Sequence, residues 1–445
     1  MARILHVIGG GLAGCEAAWQ LAERGIQVQL YEMRPQKSTL AHKTDKLAEL
    51  VCSNSFRSNS LENGAGLLKE EMRKLNSIII QCAEKTKVPA GSALAVDRYR
   101  FAETVTQKIA GHPNIKIHRK EITEIPSDHY CIIATGPLTS DKLSQHLKSS
   151  TGSKYLYFYD AAAPIVTRDS IDFNEVFWGN RYGKNGDDYL NCPMTEAQYK
   201  KFYQELVNAQ VHEKKPFEEK AFFEGCMPIE ALAYRGENTL LFGPMKPVGL
   251  ICPKTGKQPY AVVQLRKDNQ EATLFNMVGF QTSLKWGEQE RIFRMIPGLE
   301  KAEFVRYGFI HRNTFINSPK IIEPTLQMKN NPRLFFAGQI TGVEGYIESA
   351  SNGLVAGINA ARLLRGESPL IFPKETMIGA LISYITTANP DTFQPMKANF
   401  GIISNEEFLK IKDKRKRKRA ISQKALRVLS EFIQKHKIND KKDTK

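Results

Sequence analysis

Residues 3–33 read RILHVIGGGLAGCEAAWQLAERGIQVQLYEM, and the reading of this stretch decides the fold. ILHVI is a continuous apolar run, the pattern of a parallel strand buried on both faces. Gly9-x-Gly11-x-x-Gly14 follows it directly, CEAAWQLAERG has helical spacing and stops at Gly25, and IQVQLYE alternates to its end at Glu32. Strand, glycine turn, helix and strand in that order form a dinucleotide-binding unit. The first glycine permits the tight turn, the second lets the backbone approach a diphosphate, and the third lets helix and strand pack closely. The diphosphate then meets unpaired N–H groups at the positive end of the helix. Gly9, Gly10, Gly11, Leu12, Ala13 and Gly14 are the candidate contacts. Glu32 is placed to accept from a ribose 2′-hydroxyl and disfavours a 2′-phosphate, so the adenosine diphosphate of FAD or NAD fits better than NADP.

Outward from this unit, LLKEEMRKLNSIIIQCAEK and DRYRFAETVTQKIAG have helical spacing, and NIKIHRKEITEI and YCIIATGP read as strands. From about residue 151 the texture changes. KAFFEGCMPIE, NTLLFGPMKPVGL, PYAVVQLRKD and ATLFNMVGFQT suggest short strands separated by Pro, Gly and Asn turns. Near 333 the first texture returns, because RLFFAGQITGVEGYIESASNGLVAGINAARLLRG is strand, glycine-rich turn and helix. The expected organisation is therefore an α/β, Rossmann-like domain built from residues 1–150 and 321–410. A mixed α+β insertion over 151–320 interrupts it, and a basic C-terminal tail follows over 411–445. YCIIATGP resembles the second strand-to-turn element of flavoproteins of the glutathione-reductase type, and RLFFAGQITG resembles their last. That likeness points to FAD, with Gly136, Gly338 and Gln339 as further contacts; Gln339 stands where the usual residue is acidic.

Composition narrows the class. A chain of 445 residues with 42% hydrophobic and 25% charged residues can bury substantial cores. Its seven cysteines are dispersed and odd in number, with no C-x-x-C, so neither a metal ribbon nor a secreted disulfide framework is expected and a reducing cytoplasm is. The first 15 residues mimic a lipoprotein signal, but three consecutive glycines interrupt the apolar run. MIGALISYITTA is too short and too polar to span a membrane. Of the net charge of +16, residues 411–445 carry +10, from 14 Lys/Arg against 4 Asp/Glu. That segment reads either as a solvated tail or as a phosphate-binding arm, with a short helix at KALRVLSEFIQ.

Two cysteines sit at joints instead of in cores. Cys226 in FFEGCMPIE precedes Pro228, which suits a helix start, with PIEALAYRG continuing the helix to Gly236. Backbone N–H groups there favour a thiolate, against the ordinary alternative of a small buried hydrophobe. Cys52 in AELVCSNSFRSNSLENGAG poses the same choice, with Arg57 near enough to bias it toward ionisation. Cys15, Cys82, Cys131, Cys192 and Cys252 read as structural.

CSNSFRSN and EGCMPIE, together with VPAGSALAVDR, LFGPMKPVGL, RYGFIHRNTFINSP and FAGQITGVEGYIESASNGLVAGINAA, closely resemble the folate- and flavin-dependent tRNA uracil-5-methyltransferases (the TrmFO, or Gid, family) from residue 1 to about 400. The resemblance implies FAD as cofactor, with NAD(P)H and 5,10-methylenetetrahydrofolate as co-substrates. One carbon passes by way of the flavin to C5 of a T-loop uridine in tRNA. It further implies Cys226 as the nucleophile on uracil C6, Cys52 beside the flavin as base or protector, and Tyr346 as an aromatic stacking on flavin or folate. The competing readings are the same chemistry on ribosomal RNA, a GidA-like enzyme of wobble uridine, and a plain NAD(P)H flavin oxidoreductase.

Overall fold

The protein is described from a computed structural model covering residues 4–39, 41–126, 129–151, 156–183, 186–212, 227–403, 406–408 and 410–439. The opening strand Ile4–Ile8 lies at the centre of a sheet. Five strands run parallel in the spatial order Asn331–Phe336, Tyr130–Ile133, Ile4–Ile8, Gln27–Glu32 and Ile115–Arg119. The short strand Gln327–Met328 adds an antiparallel edge. Leu5, Val7, Ile132 and Ile133 are fully buried, as their apolar runs demand, and Val28 and Leu30 are the buried residues of an alternating strand. Helix Leu12–Ala22 packs on the sheet, and the long helix Tyr346–Leu364 crosses it closely. A Cβ on Gly353 or Gly357 would lie 2.7 Å from Ala13 Cα or Ala17 O, so only glycine allows the two backbones to approach this far.

Buried carboxylates join the helices end to side. Glu16, in the first helix, accepts from Ser77 Oγ (2.6 Å) and Ile79 N (3.1 Å) and so caps helix Ile78–Lys85. Glu71, in helix Gly64–Lys74, accepts from Met377 N (2.7 Å) and Ile378 N (2.8 Å) at the start of helix Met377–Thr387. Both satisfy helix-end donors that water cannot reach. Burial pushes both carboxyls up, Glu71 to about 8.

A second six-stranded sheet has the order Phe177–Trp178, Tyr189–Met194, Ala261–Lys267, Leu274–Met277, Ile165–Thr167 and Phe304–Arg306, all antiparallel. Its core, drawn from residues between Val166 and Ala302, is separate from the first, whose members come from Leu5 to Leu147 and Phe315 to Ile438. Strands Leu156–Ala162 and Phe309–Phe315 pair antiparallel as a two-stranded ribbon, which carries the chain out of the first core and back.

Three expectations change. NTLLF is a single helical turn, Thr239–Phe242, and not a strand, because Gly236 (φ +134°) turns the chain into it and Gly243 and Pro244 end it. The helix after Pro228 is short, Ile229–Ala233, and Pro228 stands at its N-cap, outside the helical residues. The basic segment is not a tail. Asp413 accepts from Arg415 N and Lys416 N and starts a 22-residue helix, Lys414–Lys435. Its Ile421, Ala425 and Leu429, four apart on one stripe, enter the first core while the cations occupy the other faces. Among the described residues no helix is long and apolar enough to cross a membrane.

Candidate functional site

The glycine turn forms one wall of a cleft that Gly9, Gly10, Gly11, Glu32, Arg34 and Thr135 help to line. Gly9 has φ +107°, and a Cβ there would sit 2.5 Å from Ala134 O. Gly11 caps helix Leu12–Ala22 with no side-chain hydrogen bond, and a Cβ on it would meet no described atom within 4 Å. The helix N-terminus therefore faces open space, the geometry a diphosphate needs. Leu12 and Ala13 are buried behind this wall, and Gly14 packs against Gly9 O. Gly136 (φ +66°) begins the 3-10 turn Gly136–Leu138, next to Thr135 and Leu138 on the opposite wall.

Glu32 is where the strand pattern puts it, but it is already engaged. It accepts from Gly10 N (3.1 Å), Arg34 N (3.0 Å) and Arg34 Nε (2.9 Å). Burial alone would push its carboxyl up; the hydrogen bonds and charge of Arg34 outweigh that and hold it below the usual range. Arg34, itself 2% exposed, also pairs with Glu49 at 2.9 Å. Sequence reasoning did not single out Arg34; the signal was its place two residues after Glu32, on the same side of an extended chain.

From the glycine turn a short segment leads to Cys52. Ala48 N donates to Gly10 O at 2.9 Å, so the chain leaves the cleft wall and reaches the turn at 50–54 within a few residues. This turn has no ladder of its own until Ser55–Ser58, and side chains from distant elements satisfy it. Arg98 Nη1 donates to Leu50 O, and Arg306 Nη2 to Val51 O. Cys52 N (2.7 Å) and Ser53 N (3.1 Å) donate to the phenolic oxygen of Tyr346, the first residue of the long helix. Asn54 accepts from Arg266 Nη2 at 2.7 Å and donates to Lys267 O at 3.0 Å. Arg98 is held in turn by both oxygens of Asp268, at 3.0 and 3.2 Å. The half-buried Cys52 thus sits where the first sheet, the long helix and the second sheet meet.

The next residues are fixed from the other side. Lys69 Nζ donates to the carbonyls of Phe56 (2.8 Å), Arg57 (3.1 Å) and Ser58 (2.7 Å). Burial, then the charge of Arg57, pushes this ammonium down to about 7. Arg57 pairs with Glu348 in the first turn of the long helix, while the guanidinium groups on the carbonyls beside Cys52 belong to Arg98 and Arg306. At the turn before that helix, Gly338 (φ +82°) would clash through a Cβ with Ala13 Cβ at 2.7 Å, and its N–H donates to Asn352 Oδ1 at 3.0 Å. Gln339 is half-buried and donates to Glu344. Asn352 Nδ2 is buried with no hydrogen-bond partner among the described residues, a spare donor beside the Gly338 turn. An open helix terminus, a glycine wall and a spare donor together fit an anionic dinucleotide.

The structure thus brings Gly9, Gly10, Gly11 and Glu32 to one cleft, and separately brings Cys52 to Tyr346. Tyr346 meets backbone N–H groups through its oxygen and is tilted 57° to the ring of Phe56, ring centres 5.8 Å apart. Cys226 lies outside the described residues, which resume at Met227. The five other cysteines are buried. Arg98, Arg306, Asp268 and Lys69 escaped sequence reading. Only Lys69 carried a local signal, as a cation between Leu68 and Met72 on an apolar helix face.

A family model described as glucose inhibited division protein A matches residues 4–368. The chain is 60% identical over 430 residues, 97% of its length and 99% of the relative's, to a Natranaerobius thermophilus protein named methylenetetrahydrofolate--tRNA-(uracil-5-)-methyltransferase TrmFO. A protein of the same name from Enterococcus faecalis is 60% identical over 434 residues, 98% of this chain and 99% of that one. Among solved structures, GidA of Aquifex aeolicus superposes with a TM-score of 0.70 at 17% identity, over 98% of this chain and 75% of that one, a likeness of fold.

Proposed function

The chain belongs to the glucose inhibited division protein A family, in the group of the methylenetetrahydrofolate--tRNA-(uracil-5-)-methyltransferases TrmFO, and on that premise we propose that it methylates C5 of a tRNA uridine with methylenetetrahydrofolate as one-carbon donor. FAD is the bound cofactor and NAD(P)H the reductant; the T-loop uridine is the target, and the reaction takes place in the cytoplasm, where tRNA is found. When bound, the flavin supplies reducing equivalents and conveys the one-carbon unit. The Gly9–Gly11 wall and the open terminus of helix Leu12–Ala22 hold its diphosphate, and Glu32, kept ionised by Arg34, orients the ribose.

The observation that carries this reading is the segment from Ala48 to Asn54. It leaves the glycine turn at Gly10 O and delivers Cys52 to Tyr346 at the start of the long helix, so the turn that would hold the cofactor's diphosphate is tied through a few residues to the thiol. Uracil C5 is a weak nucleophile. A thiolate added to C6 saturates the C5–C6 bond and makes C5 reactive; C5 takes the one-carbon unit at the methylene level and loses its proton, and a hydride equivalent drawn from NAD(P)H reduces that methylene to methyl as the thiolate leaves C6. In this scheme Cys226 is the attacking sulfur and Cys52 the base for the C5 proton. A base flipped from its loop has to reach them, which a turn permits and a core strand does not.

The test uses purified protein with labelled methylenetetrahydrofolate, NAD(P)H and unmodified tRNA. Label is expected in tRNA 5-methyluridine and not when S-adenosylmethionine is the labelled compound. No label with all three components present would remove the proposal, and label in ribosomal RNA alone would redirect it.

A further inference from the structure

A solitary apolar side chain at the surface is ordinary, so an exposed ring carries meaning only where the fold has built a place for it. Trp286, 60% exposed, has such a place. It begins helix Trp286–Phe293 and stacks on Tyr307, with ring centres 5.4 Å apart and planes 14° from parallel. Tyr307 stacks in turn on Phe304 at 5.6 Å and 19°, and Phe304 leans on the buried Phe293. Three near-parallel rings thus rise from the second core to the surface. An indole that sets one face against Tyr307 and is still 60% exposed keeps its other face open. Among the described residues Tyr307 is the one ring that touches it.

The column is fixed before any ligand arrives. The Tyr307 hydroxyl donates to Glu290, in the same helix as Trp286. Gln289 accepts from Gly308 N (2.7 Å) and donates to Gly308 O (2.9 Å) and Leu284 O (2.7 Å), which ties the chain after Tyr307 to the chain before Trp286. Its anchors lead to both cysteine segments. Arg306, the residue before Tyr307, donates to Val51 O beside Cys52. Ser283 N (2.7 Å) and Thr282 Oγ1 (2.8 Å), just ahead of Trp286, donate to Glu230 in helix Ile229–Ala233, which follows Cys226 in the chain.

The open face selects among flat ligands. A pterin or nicotinamide needs a concave pocket that covers most of its surface, which an indole in the open does not offer. A base in a folded RNA loop needs only one face stacked. Charge around the ring is largely answered: Arg291 pairs with Glu205 and Glu288, Arg294 with Glu290 at 3.4 Å, and Lys285 donates to Gln210 Oε1 at 3.1 Å. This surface therefore offers a ring face and not a field for phosphates.

We infer that Trp286, backed by Tyr307 and Phe304, is a stacking platform for a base of the tRNA loop. When the target uridine turns out of that loop, a neighbouring base loses its stacking partner, and the indole replaces it. The inference rests on the reading that a tRNA uridine is the substrate. Because the column is rigid beforehand, little ordering cost is left for binding.

The experiment measures binding of unmodified tRNA and of its isolated T-arm hairpin to the flavin-loaded full chain, over a range of salt. Trp286→Ala is expected to weaken both about tenfold while the melting temperature stays near that of wild type. The slope of log K against log salt should not change, since no phosphate contact is lost. Trp286→Phe should return most of the affinity, and Trp286→Leu, apolar but not flat, should not. A hairpin with abasic sites through the loop should bind wild type and Trp286→Ala alike. Unchanged affinity in Trp286→Ala, rescue by leucine as good as by phenylalanine, or an equal loss on the abasic hairpin each overturns the inference. A raised KM for methylenetetrahydrofolate with tRNA affinity intact would give the ring to the pterin, and an altered molecular mass with tRNA affinity intact would make it a contact between copies; either result also overturns it. Methyl transfer on the same samples separates the two readings. Base-dependent binding through Trp286 in a protein that transfers no methyl would leave the inference and remove the function, and an active enzyme indifferent to Trp286→Ala does the reverse.

Discussion

Single atoms decide what the glycine turn can do, and the two outer glycines make different demands. Gly9→Ala forces a side chain at φ +107° into Ala134 O, so the expected result is an unstable protein. Gly11→Ala points its methyl into open space at ordinary backbone angles (φ −76°), so the apoprotein should melt within a degree or two of wild type. The same methyl stands where a diphosphate approaches, and flavin affinity should fall at least about tenfold, read by fluorescence titration, a loss of about 1.4 kcal/mol. Unchanged flavin affinity in Gly11→Ala would mean that the diphosphate lies elsewhere. Tyr346→Phe tests the other end of the site. It strands the N–H groups of Cys52 and Ser53, which should cost about 1–3 kcal/mol in urea unfolding, with a fall in kcat that exceeds any change in KM for tRNA. The glycines and Glu32 were legible because their spacing is local. The partner of the Cys52 backbone was not, since Tyr346 stands 294 residues away and only the completed fold joins them.

Between elements, charge and apolar surface can share one helix and conceal each other in the sequence. The stretch KRKRKR drew attention as a phosphate arm, and the helix that docks it through Ile421, Ala425 and Leu429 was read only as the short KALRVLSEFIQ, because lysines and arginines break up the apolar pattern before it. Removing residues 411–445 would therefore open the first core as well as remove charge, and it cannot isolate an RNA contact. The clean variant replaces the exposed Lys412, Lys414, Arg415 and Lys416 with glutamine. It should fold as wild type, bind tRNA more weakly, and lose about 0.7–0.9 from the slope of log K against log salt for each phosphate contact removed. Leu429→Ala should instead cost about 2–5 kcal/mol of stability and leave the salt slope of the folded protein unchanged. An unaltered slope in the glutamine variant would return this face to solvent. Glu71 adds a pH signature at the same scale. It keeps its proton in the native protein to about pH 8 but in the unfolded chain only to about 4.5, so the native state binds more protons between those values and stability falls as pH rises. Glu71→Gln should remove up to about 1.4 kcal/mol per pH unit of that fall between pH 5 and 7. The window ends at 7 because Lys69, pushed down to about 7, acts with the opposite sign above it: the unfolded chain then holds the extra proton, and stability rises with pH. Equal slopes for both proteins would show Glu71 ionised in the native state.

Over the whole molecule, the parallel sheet was readable from three separated segments, because each strand buried on both faces is a continuous apolar run next to a glycine turn. The second sheet was readable only as a change of texture. Its strands are short, its turns vary, and Thr239–Phe242 imitates a strand within a single helical turn. What no local pattern could disclose is that two separate cores share a ribbon of two strands and meet again at the Cys52 turn. That architecture has a thermodynamic consequence. A ligand stabilises the unit it binds by RT ln(1 + [L]/Kd), and the residues lining the cleft all belong to the first body. Saturating flavin should therefore slow hydrogen exchange in Ile4–Ile8 and Tyr130–Ile133 by the full factor, about a hundredfold at a hundred times Kd. Strands Tyr189–Met194 and Ala261–Lys267 should respond by much less, since their core can open while the first stays closed. The exception expected within the second body is the end of the strand at Arg266 and Lys267, whose bonds to Asn54 tie it to the Cys52 turn. Uniform slowing across both sheets would show that the bodies unfold as one unit, and the Cys52 turn would then transmit the whole of the binding energy instead of marking the seam where it stops.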